Sequence, residues 1–294
     1  MDETSTPRVA VLGLGAMGAA FARNAARAGL QVTVWNRGAE RQAAFAGGHV
    51  QLAATAVEAV RDADVVVTML FDADAVLSVM RDHDALGAMK SGAAWLQMST
   101  IGVEGTERAL RFAATRPEIA FVDAPVTGSK SVAEEGNVVV LASGDRERTG
   151  VAVQRFFDAI AGKVHWLGEA GQGTRIGLLF NAWIGIQIEN IAEVTILAQA
   201  LGIEPRRFLE LVSGGALVAP WALEKLERIV EKRTSEVEVP LRLADKNVRL
   251  ALSAAGSARD RLPILNHLAL TWAETVRDSG DTDISALYLA LQRR

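Results

Sequence analysis

RVAVLGLGAMGAAFARNAARAGLQVTVWNR, residues Arg8–Arg37, is the stretch that decides the fold. An apolar run of strand type ends in Gly13-x-Gly15-x-x-Gly18, an Ala-rich helical segment follows, and a second β run closes at Trp35. In such a turn Gly13 permits the tight bend, Gly15 lets the backbone approach a pyrophosphate, and Gly18 packs helix against strand. The helix opening at Ala16 and Met17 would face the phosphates with unpaired N–H groups and a positive dipole end. A glycine turn of this spacing can also be purely structural. Between a strand and a helix, with a second strand on schedule, it predicts a dinucleotide site at Gly13, Leu14, Gly15, Ala16, Met17 and Gly18.

The residues after the second strand select the cofactor. NAD sites place an acid there to accept from the ribose 2′-hydroxyl, whereas an arginine suits a 2′-phosphate. Asn36 and Arg37 therefore favour NADP(H), with Arg41 as a second cation one turn into the next helix. The plain alternative is that Arg37 is a solvated surface charge.

Further apolar runs follow: DVVVTML, AAWLQMS, AFVDAPV, NVVVLASG and KVHWLG. Between most of them lie Ala-rich segments with apolar spacing of three and four. Short buried runs separated by helices imply a largely parallel sheet covered on both faces. The fold class is α/β: a doubly wound Rossmann domain over residues 1–168, then an all-α domain over 169–294. In the second half no β-rich run recurs. Thr174 to Leu201 reads as one helix of roughly 40 Å at 1.5 Å per residue, with Gly202 as its C-cap. Its first half is apolar on most sides and must be buried against other helices or a second subunit, so a homodimer is expected.

Composition narrows the function classes. A net charge of −4 carries no whole-chain basic footprint, so no nucleic-acid partner is expected. The absence of cysteine excludes thiolate chemistry and Cys-ligated zinc. His49, His83, His165 and His267 are scattered without metal-ligand spacing, so no metal site is expected. MDETSTP at the start has no apolar run of signal type. The apolar stretch Ile176–Ile188 is too short to span a bilayer, so a cytoplasmic protein without a membrane partner fits best.

The middle motif FVDAPVTGSKSVAEEGNVVVLASGD (Phe121–Asp145) joins GLGAMG, STIG at 99–102, DKNVRLAL at 245–252 and the closing GDTDISAL. With these the chain resembles the β-hydroxyacid dehydrogenase family over essentially its whole length. APVTGSK is most similar to the loop of its glyoxylate and succinic semialdehyde reductases. The resemblance implies hydride transfer in a cleft between a Rossmann domain and a helical domain, with a small-molecule substrate. It places Thr127 and Gly128 in the loop that binds a carboxylate or carbonyl, followed by Ser129 and Lys130. Leu70 and Thr100 fall along the cofactor, Thr100 against the nicotinamide ribose. Lys246 matches the lysine of a Lys-Asp pair near the cofactor, with Asn247 where the family has aspartate. An ordinary turn hydroxyl at Thr127 and a plain surface charge at Lys246 are the bland alternatives.

One expected residue is missing. The family's long helix begins G-x-G-x-x-x-K-x-x-x-N, and its lysine is the proposed general acid of carbonyl reduction. Gly171, Gly173 and Asn181 match, but the lysine position is Gly177. Arg175 lies two residues earlier, about 200° around the helix, and a guanidinium, which does not give up its proton in proteins, is a poor acid. Three readings follow. The first is a carbonyl reductase whose donor is Thr127, Ser129, Lys130, Lys246 or water. The second is an imine reductase, for which a protonated iminium needs no lysine acid; imine reductases are relatives in the wider superfamily. The third is a catalytically weak NADPH-binding sensor or scaffold. Asn181 can bind substrate or satisfy a neighbouring backbone group, and Trp183 and Trp221 can line a pocket or serve as core or interface aromatics.

Overall fold

Runs of valine set the frame, because β-branched side chains pack well on a pleated surface. The computed structural model describes residues 6–144, 146–216 and 218–293. Residues 1–5, Asp145 of the middle motif, Leu217 and Arg294 lie outside the described residues. The chain divides into two units, Met1–Gly177 and Leu178–Arg294.

In the first unit β1 (Arg8–Leu12), β2 (Gln31–Trp35), β3 (Gln51–Leu52), β4 (Val65–Thr68), β5 (Ala94–Gln97), β6 (Ala120–Asp123), β7 (Val126–Thr127), β8 (Val138–Gly144) and β9 (Ala161–Trp166) form a nine-stranded sheet. Its order is β3-β2-β1-β4-β5-β6-β8-β7, with β9 on β8. Pairing is parallel from β3 to β6 and between β8 and β9. β8 runs antiparallel to β6 and β7. The chain order reverses at β1, which pairs with both β2 and β4, and such a switch point opens a crevice at the strand ends.

The helices of this unit are α1 (Ala16–Arg27), α2 (Ala39–Ala43), α3 (Ala56–Val60), α4 (Ala73–Leu77), α5 (Ala85–Ala88), α6 (Gly102–Ala113), α7 (Lys130–Glu134) and α8 (Gly150–Ile160). Successive strand residues point to opposite faces, and β1 shows the result. Val9 and Val11 join one core with Phe21, Phe156 and Phe157. Ala10 and Leu12 join another with Val66, Trp95 and Phe121. Each fully buried phenylalanine contributes about 1.5–3 kcal/mol.

α9 (Gln172–Ala200) leads into the second unit, which continues with α10 (Pro205–Val212), α11 (Pro220–Val230), α12 (Leu241–Ala254), α13 (Pro263–Ser279) and α14 (Leu287–Gln292). Proline opens α10, α11 and α13, where its missing N–H costs nothing. α9 ends as expected: Gly202 is left-handed at φ 74°, and Ile203 N–H reaches back to the Ala198 carbonyl at 2.8 Å. The core of this unit gathers Ile188, Leu226, Leu241, Val248, Leu268 and Trp272.

Two details differ from expectation. α9 starts at Gln172 rather than Thr174, because Gly173 sits within the helix where it packs on β8. A Cβ there would overlap the Leu141 carbonyl oxygen. The sheet also holds β3 and β7, two residues each, too short to register as a periodic pattern.

Candidate active site

The nucleotide end is built from backbone. Gly13 has φ 105°, and a Cβ on it would overlap the Met69 carbonyl oxygen. A Cβ on Gly18 would overlap the Gly13 carbonyl oxygen, so α1 can lie against β1 only as glycine. Gly15, the N-cap of α1, has no atom within 4 Å of where a Cβ would stand. Its open side is the cradle that a pyrophosphate needs, at a helix N-terminus with unpaired N–H groups. The residues present fit a dinucleotide.

Asn36 is already engaged with this turn. Its Oδ1 accepts from Leu14 N–H at 3.0 Å and its Nδ2 donates to the Gly38 carbonyl at 2.9 Å. It thus holds the glycine turn in shape, while Arg37 and Arg41 stand exposed beyond the strand. Leu70 follows β4, and its N–H donates to Ser99 Oγ at 2.8 Å. Ser99 in turn is held by Gln97, which accepts from its N–H at 2.9 Å and donates to its carbonyl at 2.9 Å. Ser99 and Gln97 were not singled out in the sequence. The half-buried Thr100 follows Ser99 directly.

The 123–130 segment carries the substrate-loop candidates. Thr127 lies on β7, paired with Val139, and Gly128 takes φ 148°. Ser129 caps α7 by accepting from Val132 N–H at 3.5 Å and pairs with the Ser131 hydroxyl at 2.9 Å. Lys130 is exposed and lies 3.8 Å from Glu134.

Asp123 has a larger role than the sequence suggested. Its carboxylate accepts from Thr174 N–H and Thr174 Oγ1, each at 2.7 Å, and from Ser143 Oγ at 3.2 Å. It therefore ties the first turn of α9 to β6, satisfying donors a helix start leaves open. Burial pushes its carboxyl up from the usual range, against the opposing pull of these hydrogen bonds. Position 177 lies one turn further on. Gly177 is buried, and a Cβ there would stand 3.5 Å from Pro125 Cγ and 3.9 Å from Leu141 Cδ1. Those are ordinary van der Waals distances, so the position accepts a Cβ. Arg175 turns elsewhere: Nη1 donates to the Gly171 carbonyl at 3.2 Å and Nη2 lies 3.6 Å from Glu107.

In the second unit Asn181, on α9, accepts at Oδ1 from Asn247 Nδ2 at 3.0 Å. Lys246 is half-buried beside Asn247 on α12. Trp183 is 66% exposed, whereas Trp221 packs on the core with the Lys225 ammonium 5.9 Å from its ring centroid. Lys225 and Asp283 form a buried ion pair at 3.3 Å. Among the described residues there is no acidic or histidine cluster able to hold a metal ion. No helix there is long and apolar enough to cross a membrane.

The family model described as the NAD binding domain of 6-phosphogluconate dehydrogenase matches residues 8–168. That described as NAD-binding of NADP-dependent 3-hydroxyisobutyrate dehydrogenase matches residues 171–291. The chain belongs to the β-hydroxyacid dehydrogenase family. It is accordingly an NAD(P)-dependent oxidoreductase with an NAD(P)-binding Rossmann domain. Among members and relatives, it is similar to the chloroplastic glyoxylate/succinic semialdehyde reductase 2 of Arabidopsis thaliana. The two are 31% identical over 294 residues, covering 99% of this chain and 81% of that protein. It is 27% identical to the human cytokine-like nuclear factor N-PAC, over 96% of this chain but only 51% of that protein. The chain thus spans about half the length of the N-PAC relatives it matches. Its fold is similar to a solved Mycobacterium tuberculosis 3-hydroxyisobutyrate dehydrogenase with L-serine, at a TM-score of 0.85 and 26% identity, covering 98% of this chain and 100% of that one.

Proposed function

We propose that this β-hydroxyacid dehydrogenase family member reduces a small carbonyl compound, a semialdehyde or a 2-oxo or 3-oxo acid, with NADPH and without a lysine general acid. The observation that carries the reading is Gly177, a buried glycine facing Pro125 and Leu141 where the family pattern has its lysine. A bound reduced nicotinamide supplies the hydride. The oxygen left on the substrate then needs a proton or strong hydrogen-bond donors. To that task we assign the Thr127 hydroxyl, the Asn181 amide and the Lys246 ammonium, with Ser129, Lys130 or a water as the other donors, and Gly128 and Ser129 completing the substrate loop. Arg37 and Arg41 are assigned to the 2′-phosphate. Residues 1–168 carry the cofactor role, and residues 169–294 the substrate and dimerisation roles. A cytoplasmic setting belongs to the same proposal.

Gly177 also favours a second reading, reduction of an imine. A protonated iminium is activated before it binds, and hydride addition yields a neutral amine. An ammonium at position 177 would repel such a substrate. The similarity to a succinic semialdehyde reductase supports the carbonyl reading first.

The test is NADPH absorbance with succinic semialdehyde, glyoxylate and a cyclic imine, each repeated with NADH. Consumption of NADPH with a carbonyl compound, faster than of NADH, is expected. Turnover of the cyclic imine alone would favour the second reading. Silence with all three would overturn both in favour of a nucleotide-binding role.

A further inference from the structure

We propose that Asn247 is a positioning residue that turns Asn181 so that its amide N–H, rather than its carbonyl oxygen, is the group offered to the substrate. The inference rests on the proposed role of Asn181 and deepens it. It assigns to an amide the oxyanion contact that an ammonium at position 177 would otherwise provide.

The contact arises from helix packing. Gly185 lies one turn beyond Asn181 on α9, and a Cβ there would stand 2.9 Å from Val248 Cγ2 on α12. Without that side chain the two helices approach closely, and Asn181 and Asn247, 66 residues apart in the chain, meet at 3.0 Å. The donor is Asn247 Nδ2 and the acceptor Asn181 Oδ1. A carboxamide carries its acceptor and its donors on opposite sides. With Oδ1 turned to Asn247, the Asn181 NH2 group is turned away from it.

Asn247 itself is poorly explained as filler. It is only 8% exposed, its neighbours Ala244 and Val248 belong to the apolar core, and among the described residues its own Oδ1 has no hydrogen-bond partner. A buried unsatisfied acceptor carries a desolvation cost that an apolar residue would avoid. The bond to Asn181 is the return on that cost. The residue type also matters. An aspartate here, as the family pattern has, is when ionised only an acceptor and would demand the N–H side of Asn181. Asparagine reverses the polarity.

Asn247→Asp tests this with little change of shape. Ionised, the new carboxylate draws the Asn181 N–H to itself. With succinic semialdehyde and NADPH, kcat should then fall by about 10²-fold, the scale of losing one oxyanion donor, while KM for NADPH stays unchanged. Below the carboxyl pKa the protonated acid can again donate to Asn181 Oδ1, so kcat should recover as the pH is lowered. Asn247→Ala should lose kcat without any such recovery. A purely structural residue would move neither the pH profile nor the split between kcat and KM. In parallel, selective 15N-asparagine labelling should show the Asn181 side-chain amide signals shifting in Asn247→Asp at neutral pH and returning in acid. Wild-type kcat in Asn247→Asp at every pH, or unmoved Asn181 signals, overturns the proposal. If the wild-type protein does not turn over succinic semialdehyde, it is the carbonyl reading that fails, and the amide signals alone decide the role of Asn247.

Discussion

Arg37 is the residue proposed to decide between two cofactors that differ by one phosphate. Asn36, beside it, has its Oδ1 committed to the Leu14 N–H, which leaves Arg37 and Arg41 as the proposed charge complement to a 2′-phosphate. Arginine matches a phosphate bidentately and stays charged at every working pH. Arg37→Ala should therefore weaken NADPH binding at least about tenfold, about 1.4 kcal/mol, and leave NADH binding unchanged. Isothermal titration with both nucleotides reads this directly, and equal losses for both would remove the phosphate role. Gly13 and Gly18 were legible in the turn, because each answers a steric demand of a known local shape. The task of Asn36 was not, since its partner Leu14 lies 22 residues away and no periodicity signals a side chain bonded to a turn.

At the scale of elements, α9 and its anchors organise both ends of the story. Its existence and its C-cap could be read from the apolar run and from Gly202. Its start could not, because Gly171 and Gly173 look like a turn until the Asp123 carboxylate and Ser143 hydroxyl are seen receiving the first N–H groups. The same limit hid the Lys225–Asp283 pair, which joins α11 to the segment before α14. Burial alone would raise the Asp283 carboxyl. The Lys225 ammonium, the Val239 and Ser285 N–H groups and the Ser285 hydroxyl instead hold it below the usual carboxylate range. Its stabilising contribution is therefore complete above the unfolded carboxylate pKa of about 4. That contribution is lost as the pH falls through the lower folded value. Asp123 acts in the opposite sense, since its raised pKa penalises folding only once the pH climbs past the unfolded value. Lys225→Met should strand a buried carboxylate and cost about 3–5 kcal/mol. Urea unfolding at neutral pH reads that loss, and the acid sensitivity due to Asp283 should shrink in the variant. An unchanged midpoint would show that the pair contributes nothing.

For the whole molecule, the change of grammar from β runs to helices was legible, and the nine-stranded sheet follows the order that a doubly wound domain requires. What covers the second unit is a question the chain poses in its exposed side chains. Leu179, Trp183 and Leu197 on α9, and Leu201 just past its end, are 67%, 66%, 55% and 68% exposed. Exposed apolar side chains at both ends of this helix suit an interaction site, and a second copy of the chain is the proposed occupant. Analytical ultracentrifugation should find a dimer, and Trp183→Glu with Leu201→Glu should yield monomers with the helical content kept. A wild-type monomer at micromolar concentration would contradict it.

The most direct measurement on the central claim, a reductase working without its family's ammonium, is steady-state NADPH oxidation by Gly177→Lys beside the wild type. The backbone admits a Cβ at position 177, which would stand 3.5 Å from Pro125 Cγ. With succinic semialdehyde the variant should gain between about tenfold and the full 10²–10⁴-fold typical of general acid assistance. A lysine variant no faster than the wild type on any carbonyl compound would contradict the claim.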